Sequence, residues 1–462
     1  MFKKPDIAPL HLPPEKAQAE GIVAAMNSMH YSAAGVAAED LAAGVDFLRD
    51  MQKAASFSWL SVNLQDTKRG KPLFLPHILH QVGDITIGVI GLTGPLKKNQ
   101  NSDLLANISV LPWVDTLPKL INGIKEQVDM IILLSSYPES VNKVIAKRFK
   151  DIHLIIESGG KAGNKEPELI NNTLLCRTME RGKYLGVLRI DWKKSATWGK
   201  NIDKKIKELR NKLDRVLWLL GRLEKEKAGQ DLSGNKRYQT LLQERKELNE
   251  EIERLQASVK TESAEAPSTY SNNFIALATS LPDDPEVKAI VLKTRRRVNE
   301  LNRQVLKQES KSLKGESTGH MGINTLSGWK KCRQCHPRQT AFWQQTQHAQ
   351  AFQTLVAEEQ QFKPDCIRCH VTLPSYKTGS FSDNSLRMIR MKPQLQNVGC
   401  ETCHGPGKKH SAQPETTPLR LPSRSLCLSC HTEEHDDNFQ FEEDIKKIGC
   451  PEDGPEDSDK TK

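Results

Sequence analysis

The sequence predicts three parts in series: an α/β domain, a helical hairpin or coiled-coil spacer, and a C-terminal domain that is mainly α and irregular. Three observations carry this. Short apolar runs rich in β-branched residues alternate with helical spacing through residues 1–195. A seam of apolar residues in heptad steps fills much of 196–260. Nine of the ten cysteines then crowd between Cys332 and Cys450, where no apolar period holds. An apolar fraction of 37% with 5% aromatics over 462 residues also argues against one large core.

The elements follow in order. Lys16 to Met29 is Ala-rich and fits a helix, and Phe57–Leu64 fits a strand. Ile85–Gly91 is a short β-branched run ending at glycine, which suits a buried strand. Leu117–Glu126 has helical spacing, Val128–Leu134 and Ile152–Ile156 are further apolar runs, and Leu174–Cys176 and Tyr184–Asp191 read as late strands. Ile202, Ile206, Leu209, Leu213, Val216, Leu220 and Leu223 form one heptad seam. Tyr238, Leu241, Arg245, Leu248, Ile252, Leu255 and Val259 form a second. The short gap at 228–235 favours an antiparallel hairpin over pairing between chains, which would make a homo-oligomer through the spacer. Residues 261–320 read as a linker: a loose stretch Thr261–Asn273, a helix from Pro285 to about Gln308, and a Gly/Ser/Lys-rich run to His320. The domain holding the cysteine motifs spans 321–450, and the polar tail 451–462 has nothing to bury.

Net charge is +10, yet no nucleic-acid motif accompanies it, so nucleic acid is not an expected partner. No apolar run of about 18 residues exists, so no transmembrane span is expected.

Four Cys-x-x-Cys-His motifs occupy the C-terminal region: Cys332, Cys335 and His336; Cys366, Cys369 and His370; Cys400, Cys403 and His404; Cys427, Cys430 and His431. Two thiols three positions apart reach the two vinyl groups of one haem, and the next histidine lies under the iron. Zinc ribbons separate their cysteine pairs by about 15–20 residues; here the intervals are 30, 30 and 23, and zinc gives no reason for a histidine after every second cysteine. The expected cofactors are four covalently attached haem c groups. Four further histidines, His320, His348, His410 and His435, match the number needed for a second axial ligand on each iron. A haem without one would have an open position for a small ligand.

Residues 328–444 resemble the tetrahaem cytochromes c typified by the electron acceptor of hydroxylamine oxidation. The residues that carry this are GWKKCRQCHPRQTAFWQQTQHAQAF, CIRCHV, VGCETCHGPGKKH and CLSCHTEEHDDNFQFEEDIKKI, with Val398 to Gly407 followed by His410 the most specific. The resemblance implies that His348 and His410 are distal ligands. That family often has one more histidine after the last helix. Here the place reads Lys447-Ile448-Gly449-Cys450, and Cys450 is read as a bystander in preference to a substitute ligand.

Residues 17–192 resemble the metallophosphatase domain of 5′-nucleotidases, in an incomplete form. Met29–Gly44, Ile85–Leu92, Asp129–Ser136, Ile152–Gly160 and Asn172–Leu188 match its framework in order. The ligands do not match: Ala38 and Glu39 stand for an Asn-His pair, Ser136 for a histidine, and Gly159 and Lys161 for the last two. A dinuclear centre needs those groups, so no dinuclear metal site and no phosphatase activity are expected; Glu39, Asp40 and His153 read as ordinary residues rather than a new metal set.

The sequence as a whole reads as an exported electron-transfer protein rather than an enzyme, periplasmic or at the cell surface, because haem c attachment and cysteine pairs point to an oxidising compartment. No signal peptide is visible after Met1, and the first two strands of the phosphatase framework are missing, so a later-than-true start is expected. Expected partners are redox proteins, either other cytochromes or quinol-linked complexes. The alternative is a haem enzyme reducing a small nitrogen, sulfur or metal oxyanion at an open haem site.

Overall fold

The computed structural model describes residues 1–2, 6–96, 105–158, 163–179, 182–193, 196–198, 204–226, 231–258, 267–278, 280–312, 325–372, 393–432, 435–436 and 438–451. They divide into two compact units, Met1–Ile7 with Ile22–Lys288, and Ala8–Gly21 with Ala289–Lys462. His320 and the tail from 452 onward lie outside the described residues.

Helix α1 (Leu12–Ser28) is followed by β1 (Ala33–Gly35), α2 (Val45–Ala54), β2 (Ser58–Leu60), β3 (Leu64–Asp66), β4 (Lys71–Pro72), β5 (His77–Val82) and β6 (Ile85–Leu92). Then come β7 (Ile108–Val110), α3 (Trp113–Ile124), β8 (Met130–Ser135), α4 (Glu139–Arg148), β9 (Leu154–Glu157), β10 (Lys165–Ile170), β11 (Thr173–Arg177) and β12 (Tyr184–Asp191). Helices α5 (Lys204–Glu226) and α6 (Lys236–Ser258), strand β13 (Thr269–Ala276) and helix α7 (Pro285–Ser312) complete this stretch.

The main sheet of the first unit has six strands in the order β10-β11-β9-β8-β6-β5. Strands β6, β8, β9 and β11 run parallel, with β5 and β10 antiparallel at the edges. Both faces are covered, which is why the central strands are continuously apolar. Ile131 and Leu133 face α3 and α4, packing with Leu117, Ile121 and Ile145. Met130, Leu154 and Leu174 face the other way, against Trp198. The predicted strand Phe57–Leu64 is instead two short ones. Ser61 and Asn63 turn the chain between them: the Ser61 hydroxyl accepts from Leu64 N, and Asn63 Nδ2 donates to Thr93 O and Leu111 O.

Helices α5 and α6 pair within the chain, Val216, Leu220 and Leu223 against Leu241, and Leu213 against Ile252. The segment expected to be loose holds β13, which pairs antiparallel with β12 over its whole length, from Tyr184↔Ala276 to Asp191↔Thr269. Its alternation is real but disguised: Asn272 and Phe274 are buried, and a polar Asn marks one inward position. The helical hairpin therefore springs from between two paired strands, and the sheet structure resumes beyond the boundary expected at 195.

In the second unit α7 is not a linker helix. Arg296 pairs with Glu359 at 3.3 Å, Arg295 with Glu358, and Arg297 with Glu20. Asn299 Oδ1 accepts from Phe362 N at 2.9 Å. A Cβ at Gly21 would stand 2.2 Å from Thr294 Oγ1, so glycine is what lets α1 and α7 cross closely. The remainder of the unit is short helices joined by irregular turns. No helix among the described residues is long and apolar enough to cross a membrane.

Candidate functional site

Each Cys-x-x-Cys-His motif forms about one helical turn, which brings residues three apart to one side. The first begins in helix Trp329–Cys332 and closes with His336 N donating to Cys332 O at 2.9 Å. Gly328 enters it at φ 80°, where a Cβ would meet Gln394 Cγ at 2.3 Å. The second lies inside helix Pro364–His370, with proline in its first turn. The third fills helix Cys400–His404 and stops at Gly405, φ 88°. The fourth starts in helix Arg424–Cys427, capped by the Ser423 hydroxyl, and closes with His431 N to Cys427 O at 2.9 Å.

The imidazoles are oriented from behind. The Nδ1 of His370 lies 2.6 Å from Ala351 O, that of His404 3.0 Å from Arg420 O, that of His410 3.0 Å from Thr417 O, and that of His431 2.7 Å from Asp436 Oδ2. With Nδ1–H as donor, each Nε2 keeps its lone pair for a metal, the arrangement typical of ligating histidines. Two pairs of rings then face each other. His336 and His410 have centroids 6.1 Å apart with planes at 21°. His348 and His431 are also 6.1 Å apart, at 63°. A metal bonded to one nitrogen of each ring at about 2 Å, with about 1 Å from nitrogen to ring centre, requires about 6 Å. The ring spacing therefore matches that of a bis-histidine iron at both places. Burial, then the neighbouring His431, pushes the His348 imidazole below its ordinary range, toward the neutral form a metal needs. Among the described residues neither His370 nor His404 faces a second histidine ring. His435 is exposed, in a turn closed by its N–H to Thr432 O.

Cys332 lies beside Cys400, and Cys369 beside Cys430. The proximity of the two thiols in each pair raises Cys332 and Cys430 and lowers Cys369 to about 7. The first motif is thus brought against the third, and the second against the fourth. Burial pushes Cys403 up to about 11. Attachment to haem would replace all these protons with thioethers.

Sequence reasoning missed the residues that lock the motifs together. Arg420 donates from Nε to Cys403 O and from its terminal nitrogen to Thr402 O, both at 3.0 Å, on the carbonyl end of the third motif. Asn397, at φ 73°, accepts from Phe352 N at 2.8 Å, and Thr372 Oγ1 links Asn397 O to Gly399 N. Trp343 Nε1 donates to Val398 O, and Val398 N to His348 O. Only the left-handed propensity of asparagine hinted at any of this.

In the first unit, Ala38 and Ser136, read from the sequence as standing in place of metal ligands, and the residues near them make other contacts. Ala38 is buried, Asp40 accepts from Ala37 N at 2.9 Å, and Ser136 Oγ accepts from Gly94 N at 2.8 Å. Ser61 and Thr93 hydroxyls lie 2.7 Å apart, and Thr93 Oγ1 donates to Val36 O. His153 is a core residue whose Nδ1 accepts from Ile131 N at 2.9 Å. Gly159 and Lys161 lie outside the described residues. No group of three or more His, Cys, Asp or Glu side chains is placed to hold a metal ion among the described residues.

Solved structures similar to the N-terminal part include 5′-nucleotidases and a phosphoesterase. One is a 5′-nucleotidase precursor from Thermus thermophilus, with 21% identity, TM-score 0.35, and 39% of this chain and 40% of that one covered. Another is the calcineurin-like phosphoesterase YfkN from Bacillus subtilis, with 15% identity, TM-score 0.38, and 63% and 78% covered. Cytochrome c-554 of Nitrosomonas europaea is 36% identical over 98 residues, 18% of this chain and 39% of the relative. The chain thus spans well under half the length of that relative. Residues 331–405, holding the first three motifs, match the family described as cytochrome c554 and c-prime.

Proposed function

We propose that the second unit is a four-haem c-type cytochrome that passes electrons between redox partner proteins outside the cytoplasm. The observation that carries this is the two imidazole pairs at 6.1 Å, each joining a motif histidine to a histidine outside the motifs. The haems would be held by Cys332 and Cys335, Cys366 and Cys369, Cys400 and Cys403, and Cys427 and Cys430. Their proximal ligands would be His336, His370, His404 and His431. His410 would complete the first iron and His348 the fourth. His320 and His435 are the spare histidines for the irons of His370 and His404.

Bound haem supplies the one-electron couple. The chain supplies the rest. The paired cysteines would fix each group to a helical turn through thioether bonds. The carbonyls of Ala351, Arg420 and Thr417 and the carboxylate of Asp436 hold the imidazoles and strengthen them as donors. Cys332 beside Cys400 and Cys369 beside Cys430 would place the groups they hold near one another, as electron hopping requires. Other cytochromes or quinol-linked complexes suit this role as partners, and an exported, oxidising compartment suits the attachment chemistry.

A second reading has one specific observation in its favour: neither His370 nor His404 faces another imidazole among the described residues. An iron with an open side would bind and reduce a small nitrogen, sulfur or metal oxyanion. The test is intact mass with visible spectra on protein made with a haem-maturation system. Four haem masses with sharp low-spin ferrous bands and no carbon monoxide response support electron transfer. A Soret shift with carbon monoxide supports the reductase, and no covalent haem overturns both.

A further inference from the structure

We propose that Glu401 is a positioning residue whose buried carboxylate sets the spacing of the His336 and His410 rings. The proposal rests on these two histidines sharing one iron. Glu401 lies between Cys400 and Cys403 in the third motif and is 3% exposed. Its Oε1 accepts from Ser327 N at 2.8 Å and from Gly407 N at 2.7 Å, and its Oε2 accepts from Gly328 N at 2.8 Å.

The three donors are not equivalent in place. Ser327 and Gly328 lead into helix Trp329–Cys332, from which the chain turns directly to His336. Gly407 precedes helix Lys408–Ala412, which carries His410. One carboxylate therefore grips the starts of the segments bearing both rings, while its own helix carries the third haem motif. The Ser327 and Ser411 hydroxyls, 3.4 Å apart, join the same two segments a second time. The approach is tight: a Cβ at Gly407 would stand 3.1 Å from Glu401 Oε1.

All three partners are N–H donors, so both Glu401 oxygens act as acceptors. Glu401→Gln has the same shape, but its amide nitrogen must face at least one of the three N–H groups, so at least one hydrogen bond becomes a donor–donor contact. Glu401→Asp keeps both acceptors on a stem one carbon shorter. Neither replaces a cysteine or histidine, so the residues that would attach the haems are all present in both.

The experiment is electron paramagnetic resonance of the ferric four-haem protein, with intact mass as the check on haem content. The reference variant is His410→Ala, which removes the ligand itself. The expected result for Glu401→Gln is four haems, with the low-spin signal that His410→Ala abolishes either shifted in its g-values or turned high-spin, and the other signals unmoved. The low-spin g-values follow the angle between the imidazole planes, 21° here, so they report orientation directly. Glu401→Asp recovers part of the signal. Unchanged signals in Glu401→Gln, with His410→Ala losing one, overturn the positioning role and leave the ligand pair standing. Loss of all haems or equal disturbance of every signal in Glu401→Gln overturns it as well, since that marks a general structural tie. If His410→Ala leaves every low-spin signal in place, the ligand pair itself is wrong.

Discussion

His153 makes the acid stability of the first unit a quantitative test of how its core is built. Its ring is buried against Trp192, centroids 4.8 Å apart, and its Nδ1 accepts the Ile131 N–H. Burial pushes its pKa from the ordinary 6.5 down to about 4, with Asp151 opposing weakly. In the unfolded chain the ring takes up a proton near pH 6.5; in the fold it resists until about pH 4. Between these values the unfolded state binds more protons, so stability falls as pH falls. A depression of this size corresponds to about 3 kcal/mol, fully present above pH 6.5 and fully lost below about pH 4. The measurement is urea unfolding from pH 7 to pH 4, followed by tryptophan fluorescence, for the parent and His153→Asn. The asparagine oxygen can still accept from Ile131 N, but the side chain does not titrate. Burial raises the Glu157 and Asp214 carboxyls, Asp214 to about 6, so the difference between the two proteins is the quantity to read. The parent should lose about 3 kcal/mol more than the variant over that range. Parallel pH profiles would refute the picture of a neutral core histidine.

Three further outcomes are expected. His348→Ala should leave all four haems attached but convert the fourth to a high-spin, carbon-monoxide-binding form, read by Soret shift; an unaltered spectrum would remove His348 as a ligand. Asn299→Leu strands the Phe362 N–H ahead of the second motif and should cost about 1–3 kcal/mol in denaturant unfolding of the haem unit. Leu220→Ala, in the buried seam of the hairpin, should cost about 2–5 kcal/mol of local stability, seen as early loss of helical circular dichroism with the haem spectrum unmoved.

How much of this was legible depended on the range of each interaction. The four Cys-x-x-Cys-His motifs could be read because each lies within about one helical turn of contiguous residues. The hairpin could be read because heptad spacing is local, and its short linker favoured the pairing of Val216 and Leu220 with Leu241 in the same chain. The break at Ser61 to Asn63 could not be read: those side chains abandon strand pairing for Thr93 and Leu111, far away in sequence. Strand β13 was hidden because its pairing with β12 spans the whole hairpin. The α7 helix was legible as a helix, but its partners Glu20, Glu358 and Glu359 were not.

By itself, then, the sequence determined what lies within contiguous residues: where the four Cys-x-x-Cys-His motifs fall, which histidine follows each, and where periodic apolar faces form helices. Tertiary structure alone decided which histidines meet. His410 stands opposite His336 and His348 opposite His431 because chain turns held by Asn397, Arg420 and Glu401 bring distant segments to about one metal's width. The physical reason is that a second axial ligand needs only the right place in space, which no local spacing rule encodes.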